Sequence, residues 1–246
     1  MISVVIITKN EARVIAESIR SCRSFSDDIV VLDSGSTDDT VSIAKNEGAN
    51  VFEQDWLGYG PQKNCANAFA KHDWILSLDA DERPDGLMIK TLKTLDFDQN
   101  KVYCFKLIDH FGERAIKYSE LRPKWKKRLF NKNRVHWDDR TVHEQLILDA
   151  KIKLRKCQGM ILHYSYETFG DFEKKIRQYA ELGAEEMILK KKNLSLFKRL
   201  FNPSFRFIRS YLLYGGFLEG KMGYRISKTL SDGLRIKYLN YDKQKA

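Results

Sequence analysis

Asp79 and Asp81, one residue apart in Leu78-Asp79-Ala80-Asp81-Glu82, follow the short apolar run Trp74–Leu78 with no cation beside them. Such a pair suits a divalent ion. Mg2+ or Mn2+ takes carboxylate oxygens, commonly bridges to substrate phosphates and neutralises a diphosphate leaving group. A solvated acidic turn, with Asp85 nearby, is the plain structural alternative. Two more polar clusters end apolar runs in the same manner. Thr8-Lys9-Asn10-Glu11 offers side-chain and backbone donors, and Asp33 precedes the turn Ser34-Gly35-Ser36-Thr37-Asp38, where its carboxylate can accept from a base N–H or a ribose hydroxyl. Thr8 and Asn10 also suit a helix cap, and capping is the expected role of Ser36–Asp39.

The elements needed to bring these clusters together are visible as alternating patterns. Ser3–Thr8 is a β-branched run of the kind buried on both faces of a parallel sheet. A helix follows, with Asn10 placed to cap it and Ala12, Ile15, Ala16 and Ile19 at helical spacing; Ile29–Leu32 is the next strand. Thr40–Gly48 predicts a short helix, Asn50–Glu53 a strand, Gln62–Ala70 a helix and Trp74–Leu78 a fourth strand. The expected fold is α/β with a doubly wound, mostly parallel sheet. In such sheets ligands bind at the carboxyl ends of the strands, where all three polar clusters fall.

Residues 102–166 change character, with strands expected at Val102–Leu107, around Lys127–Phe130, at Ile152–Leu154 and at Met160–Leu162. Helical spacing returns from Phe169 to about Lys192. Residues 190–246 carry 14 Lys/Arg against Glu219, Asp232 and Asp242, and interleave them with Phe205, Phe207, Tyr211, Tyr214 and Phe217. The remaining 1–189 hold 29 basic and 30 acidic residues, so the net charge of +10 resides in the tail. The expected organisation is one domain over 1–189, in two halves (1–100 and 101–189), followed by a helical basic extension over 190–246. A basic, aromatic tail attracts an anionic partner, either a lipid surface or single-stranded nucleic acid.

Cys22, Cys65, Cys104 and Cys157 form no C-x-x-C pair, which points away from zinc and redox motifs and toward reduced thiols. Met1 runs straight into Ile2–Ile7 without a basic leader, and Tyr211–Leu218 is far short of the roughly 20 apolar residues a bilayer crossing needs. The expected location is cytoplasmic, peripheral on the inner face of the membrane.

Four motifs stand in order: Ile7-Thr8-Lys9-Asn10-Glu11, Val31-Leu32-Asp33-Ser34-Gly35-Ser36-Thr37-Asp38-Asp39-Thr40, Lys63-Asn64 and Leu78-Asp79-Ala80-Asp81-Glu82. In them the chain resembles family 2 glycosyltransferases, whose N-terminal half carries I-T-x-N-E, V-x-D-S-G-S-x-D-x-T, K-N or R-N, and D-x-D. The resemblance implies a GT-A fold, a nucleoside diphosphate sugar donor, a metal at the D-x-D and inversion at the anomeric carbon. It implies Thr8 and Asp33 at the nucleoside, Asn10 and Glu11 in the nucleotide region, Lys63 on the base or phosphate side, and Asp79 and Asp81 at ribose and metal. Inversion needs a base on the acceptor side. Glu144, in Val142-His143-Glu144, is the candidate, with Asp138 and Asp139 as competitors. His163 is a candidate third metal ligand, imidazole being acceptable to Mn2+, and the planar fork of Arg128 suits a phosphate.

Looser similarities, His143–Leu146, His163–Tyr166, Lys175–Tyr179 and Gly215–Gly220, are to the lipopolysaccharide-core β-1,4-glucosyltransferase subgroup. They imply a UDP-sugar, UDP-glucose first, and a lipopolysaccharide-core or other glycolipid acceptor at an anionic membrane surface, worth about 1 kcal/mol per Lys or Arg near the leaflet. Sugar-phosphate nucleotidyl transfer is a competing chemistry, but no Gly-rich, basic loop follows the first strand to grip a triphosphate. Nucleic-acid binding through the tail is the non-enzymatic alternative, and the less expected partner.

Overall fold

β-Branched side chains crowd a helix but pack well on a pleated surface, and ISVVIIT forms strand β1 (Ile2–Thr8), buried along its whole length. Helix α1 (Ile15–Cys22) leads to β2 (Asp28–Asp33), α2 (Thr40–Asn46) to β3 (Asn50–Glu53), and α3 (Tyr59–Ala68) to β4 (Trp74–Asp79). The four strands are parallel in the order β3-β2-β1-β4. Alternation along β1 feeds both faces of the sheet. Val4 and Ile6 join a core with Ile15 and Ile19 of α1, and Val5 and Ile7 join another with Ala66 of α3. Helices on both faces make this block doubly wound, as expected.

The chain continues through β5 (Glu82–Pro84), α4 (Gly86–Thr94), β6 (Lys101–Phe111), β7 (Arg114–Ala115), β8 (Lys124–Asn131), β9 (His136–Trp137), β10 (Leu146–Ile147) and β11 (Lys153–Tyr166). β8 adds antiparallel to β4, β6 pairs antiparallel with β8, and β5 pairs antiparallel with β11. The mixed α/β sheet therefore has a parallel N-terminal block and an antiparallel extension. β9 and β10 form a separate hairpin.

This structure, a computed structural model, describes residues 1–139, 144–191 and 194–245. The chain forms two units, Met1–Leu107 with Lys124–Tyr164, and Ile108–Pro123 with Ser165–Ala246. The second is mainly helical. α5 (Phe169–Leu189) opens with a capping box between Thr168 and Asp171, α6 (Leu196–Ile208) runs into a π turn (Arg209–Leu213), and α7 (Lys221–Lys245) closes the chain. Its core gathers Phe111, Ile116, Phe172, Ile226 and Leu230. Gly233 of α7 lies so close to Ile176 of α5 that a Cβ there would overlap it, which is why a glycine is tolerated mid-helix. No helix among the described residues is long and apolar enough to cross a membrane.

Two local expectations need correction. Asn10 does not cap α1, which starts after Val14 without a side-chain cap; Asn10 sits in the left-handed region, at φ 55°, with its side chain turned to the neighbouring loop. The two short strands expected at Ile152–Leu154 and Met160–Leu162 are one continuous strand, β11.

Candidate active site

The register Thr8↔Asp33 and Ile7↔Asp79 sets the ends of β1, β2 and β4 along one edge. Thr8 is buried, and its hydroxyl has no hydrogen-bond partner among the described residues. A buried hydroxyl left so is costly unless a ligand completes it. Asp33 is also buried. Its Oδ2 accepts from the backbone N–H groups of Gly35 (2.9 Å) and Ser36 (2.7 Å), and its Oδ1 takes the Ser36 hydroxyl. Asn10 Oδ1 accepts from the Thr37 N–H at 2.8 Å, and the N–H groups of Asn10 and Glu11 donate to Ser36 Oγ (2.8 Å) and Thr40 Oγ1 (2.7 Å). The first two motifs thus lock one loop onto the other.

A chain of alternating charges lies beside them. Lys63, on α3 and only 3% exposed, places Nζ 2.8 Å from Glu144 Oε1 and 3.2 Å from Asp79 Oδ1. Arg128, buried on β8, holds Asp79 Oδ2 with Nη2 at 3.0 Å and pairs through the same nitrogen with the buried Glu82, whose other oxygen accepts the Asp79 N–H at 3.0 Å. Burial opposes ionisation of Asp79, but the charges of Lys63 and Arg128 reverse that and hold its carboxyl well below the usual range. Burial pushes Glu82 up to about 7, with Arg128 opposing and the charge of Asp79 reinforcing the shift.

Glu144 reaches Lys63 because its hairpin is docked on α3. The Asn64 side chain donates to the Trp137 carbonyl (2.8 Å) and accepts from the Trp137 N–H (2.9 Å), while Lys63 Nζ lies 4.8 Å from the centre of the Trp137 ring. The hairpin closes where the Asp138 N–H donates to the Gln145 carbonyl at 2.9 Å and the Gln145 N–H returns to Asp138 Oδ1 at 3.1 Å. Gly60 permits the approach, since a Cβ there would collide with the Asp138 carbonyl. A cavity of about 390 Å3 opens here, lined by Lys63, Asp79, Trp125, Lys126, Arg128 and Glu144 among others. His143 lies outside the described residues.

Asp81 and His163 form a second pair, Oδ2 to Nε2 at 3.3 Å, both partly exposed, with the Tyr164 N–H donating to the Asp81 carbonyl at 2.8 Å. Neighbouring ligands of an ion lie about 3 Å apart when each bond is about 2.1 Å. A carboxylate and an imidazole at this spacing would fit Mn2+, whereas Mg2+, which takes oxygen ligands, would be held through Asp81. The described residues hold no cluster of three or more such groups, and both oxygens of Asp79 face cations instead.

The structure thus gathers Lys63, Asp79, Arg128 and Glu144 into one constellation, Thr8 and Asp33 at the adjoining strand ends, Asn10 and Glu11 in the loop beside them, and Asp81 with His163 as a separate pair. Sequence reasoning missed Glu82, Asn64 and Trp137 as parts of the site. Glu82 is brought in by the register His163↔Glu82 between β11 and β5, a pairing that periodicity does not disclose, and the signal for Asn64 was the Lys63-Asn64 motif itself.

The profile described as Glycosyl transferase family 2 matches residues 3–146. An uncharacterized glycosyltransferase of Rickettsia prowazekii is 30% identical over 235 residues, covering 91% of this chain and 80% of its own. The lipopolysaccharide core biosynthesis glycosyltransferase LpsC of Rhizobium meliloti is 24% identical over 237 residues, covering 90% and 87%. Among solved structures, glucosyl-3-phosphoglycerate synthase of Mycobacterium tuberculosis, in complex with Mn2+, UDP and glucosyl-3-phosphoglycerate, matches at 27% identity and TM-score 0.37 over 45% of this chain, which spans 44% of that one. TarS of S. aureus matches at 18% identity and TM-score 0.45 over 96% of this chain, which spans 49% of that one.

Proposed function

The chain belongs to glycosyl transferase family 2, and on that premise we propose that it moves a hexose, glucose from UDP-glucose in the first instance, to a lipopolysaccharide-core or related envelope glycan with inversion. Glu144 is the base. It takes the proton of the acceptor hydroxyl as that oxygen bonds to the anomeric carbon and the bond to the diphosphate breaks, the electron pair leaving with the diphosphate. Lys63 orients Glu144 and, with Arg128, presents positive charge to the leaving group. Thr8 and Asp33 receive the nucleoside, and the loop held by Asn10 and Glu11 borders it. Asp81 and His163, with Asp79 alongside, would hold Mn2+ or Mg2+, which when bound supplies further neutralisation of the diphosphate.

The observation that carries this reading is the Lys63 ammonium shared between Glu144 and Asp79, groups from a hairpin and a strand end 65 positions apart joined over one cavity. An anionic acceptor is supported by β8. Lys126 and Lys127 line the same cavity as Arg128 and Asp79 and add two cations to its wall. The similarity to LpsC favours an envelope acceptor. Such acceptors are lipid-anchored, which supports a working enzyme peripheral on the inner face of an anionic membrane.

The test is transfer by purified protein across a panel of nucleotide sugars, with Mn2+, Mg2+ or EDTA and a lipopolysaccharide-core acceptor, beside Asp81→Ala and Glu144→Gln. The expected result is turnover with one donor, lost with EDTA and in both variants. Turnover undiminished in Glu144→Gln would remove Glu144 as the base, and no turnover with any donor and acceptor would overturn the reading.

A further inference from the structure

Helix α6 is amphipathic with its faces inverted. At 3.6 residues per turn, Arg199, Asn202 and Arg206 fall on one side and Phe197, Leu200, Phe201, Phe205 and Ile208 on the other. A helix packed on a protein core normally buries its apolar side. Here the polar side is turned inward and bonded. Arg206 grips Glu120 through Nε (3.0 Å) and Nη2 (2.7 Å) and donates to the Leu230 carbonyl (2.9 Å). Asn202 donates to the Tyr238 hydroxyl at 3.0 Å, and Arg199 pairs with Asp242 at 2.8 Å. The apolar side is left outside: Phe197, Leu200, Phe201 and Phe205 are 67%, 63%, 54% and 55% exposed, and Leu212 of the following π turn extends the stripe. Rotating α6 to bury that stripe would break the bonds to Glu120, Tyr238 and Asp242, so the inversion is specified by the fold of this unit.

We propose that the outward face of α6, from Phe197 through Leu212, inserts into the headgroup–acyl boundary of an anionic lipid leaflet, lying in its plane without crossing it. Charge selects this occupant over a second copy of the chain. The three acids of residues 190–246 are each matched within the unit, Glu219 with Arg114, Asp232 with Lys228 and Asp242 with Arg199. The 14 Lys/Arg of the same stretch therefore keep a large positive excess, and Lys198 and Lys221 are exposed. A symmetric pair of such faces would set like charges against each other, whereas an anionic leaflet accepts both the phenylalanines and the lysines. The inference narrows the membrane reading above to one helix face and does not depend on the transfer reaction, so either can fail alone.

The experiment is co-sedimentation of the full chain with vesicles of phosphatidylcholine alone or mixed with phosphatidylglycerol, beside the double variant Phe201→Ser/Phe205→Ser. Both positions are exposed, so the variant is expected to keep its circular dichroism and thermal midpoint. Wild type is expected to bind the anionic vesicles and to retain part of that binding in about 0.5 M salt; the variant is expected to bind at least about tenfold more weakly. Equal binding of the two proteins, or binding abolished entirely by salt, overturns insertion. A dimer in analytical ultracentrifugation that the variant abolishes, with no vesicle binding, replaces the lipid by a second copy.

Discussion

Replacing Lys63 by methionine keeps the length and apolar stem of the side chain and deletes only its ammonium. Glu144 then loses its 2.8 Å partner and Asp79 its 3.2 Å one, while Asp79 retains Arg128. Removing one member of a fully buried ion pair costs about 3–5 kcal/mol. Here the carboxylates are 17% and 38% exposed, so water relieves part of that, and about 1–2 kcal/mol is the expected loss of stability. In a chain of this size that lowers the melting midpoint by about 2–8 °C. On the proposed mechanism the effect on turnover is larger, because Lys63 would both orient Glu144 and face the leaving diphosphate. Loss of one such electrostatic group typically lowers kcat by about 10²–10³. The assay is initial-rate transfer at saturating donor for Lys63→Met, Glu144→Gln and the double variant, with melting midpoints alongside. If the pair acts as a unit, the double variant is about as slow as the slower single one. Turnover within about twofold of wild type in Lys63→Met, or losses that multiply in the double variant, would refute the reasoning.

Gly60→Ala puts a methyl group into the Asp138 carbonyl, so the hairpin must move and carry Glu144 away from Lys63. A shift near 1 Å can cost about 10²-fold in rate; the expected outcome is a fall in kcat of at least about tenfold with circular dichroism preserved, and an unchanged kcat would show that hairpin placement is not critical. Glu120→Gln tests the second unit. Burial raises the Glu120 carboxyl, but the hydrogen bonds and charge of Arg206, aided by Arg209, outweigh it and leave the carboxyl below its ordinary range. A depressed acid stabilises the fold above its unfolded value, about 4.3, and that contribution is lost as pH falls through the lower folded value. The variant should therefore be less stable than wild type by about 1 kcal/mol at about pH 7, with the gap closing toward about pH 3 in urea titrations. A gap independent of pH would be inconsistent with the ion pair as its origin.

The parallel half of the fold was legible because its strands are β-branched runs bounded by turn residues; β3 has the expected limits, Asn50–Glu53. β11 was not, because Lys153, Arg155, Lys156 and Gly159 interrupt its apolar pattern. Gly159, at φ 94°, breaks that pattern for a tertiary reason: a side chain there would collide with the backbone of Met88 in α4. α4 itself buries only Met88 and Leu92, too few for periodicity to announce it. At the site, Thr8, Asp33 and Asp79 were readable because they end buried strands. The contact of Lys63 with Glu144 spans 81 residues and arises from docking, which local pattern does not encode. Glu82 was hidden beside the two aspartates, where a third carboxylate reads as solvated although it is fully buried.

The bond between Asn64 and Trp137 has a consequence for sequence drift. One edge of a side-chain amide offers an N–H donor and a C=O acceptor side by side, as a single residue of an extended strand does. By giving both to the Trp137 backbone, Asn64 lets a helix impersonate the edge of a neighbouring strand. Such a bond is blind to the side chain at the partner position but exacting about its own. The hairpin's surface can thus change in sequence while one asparagine keeps the hairpin anchored next to the lysine that precedes it.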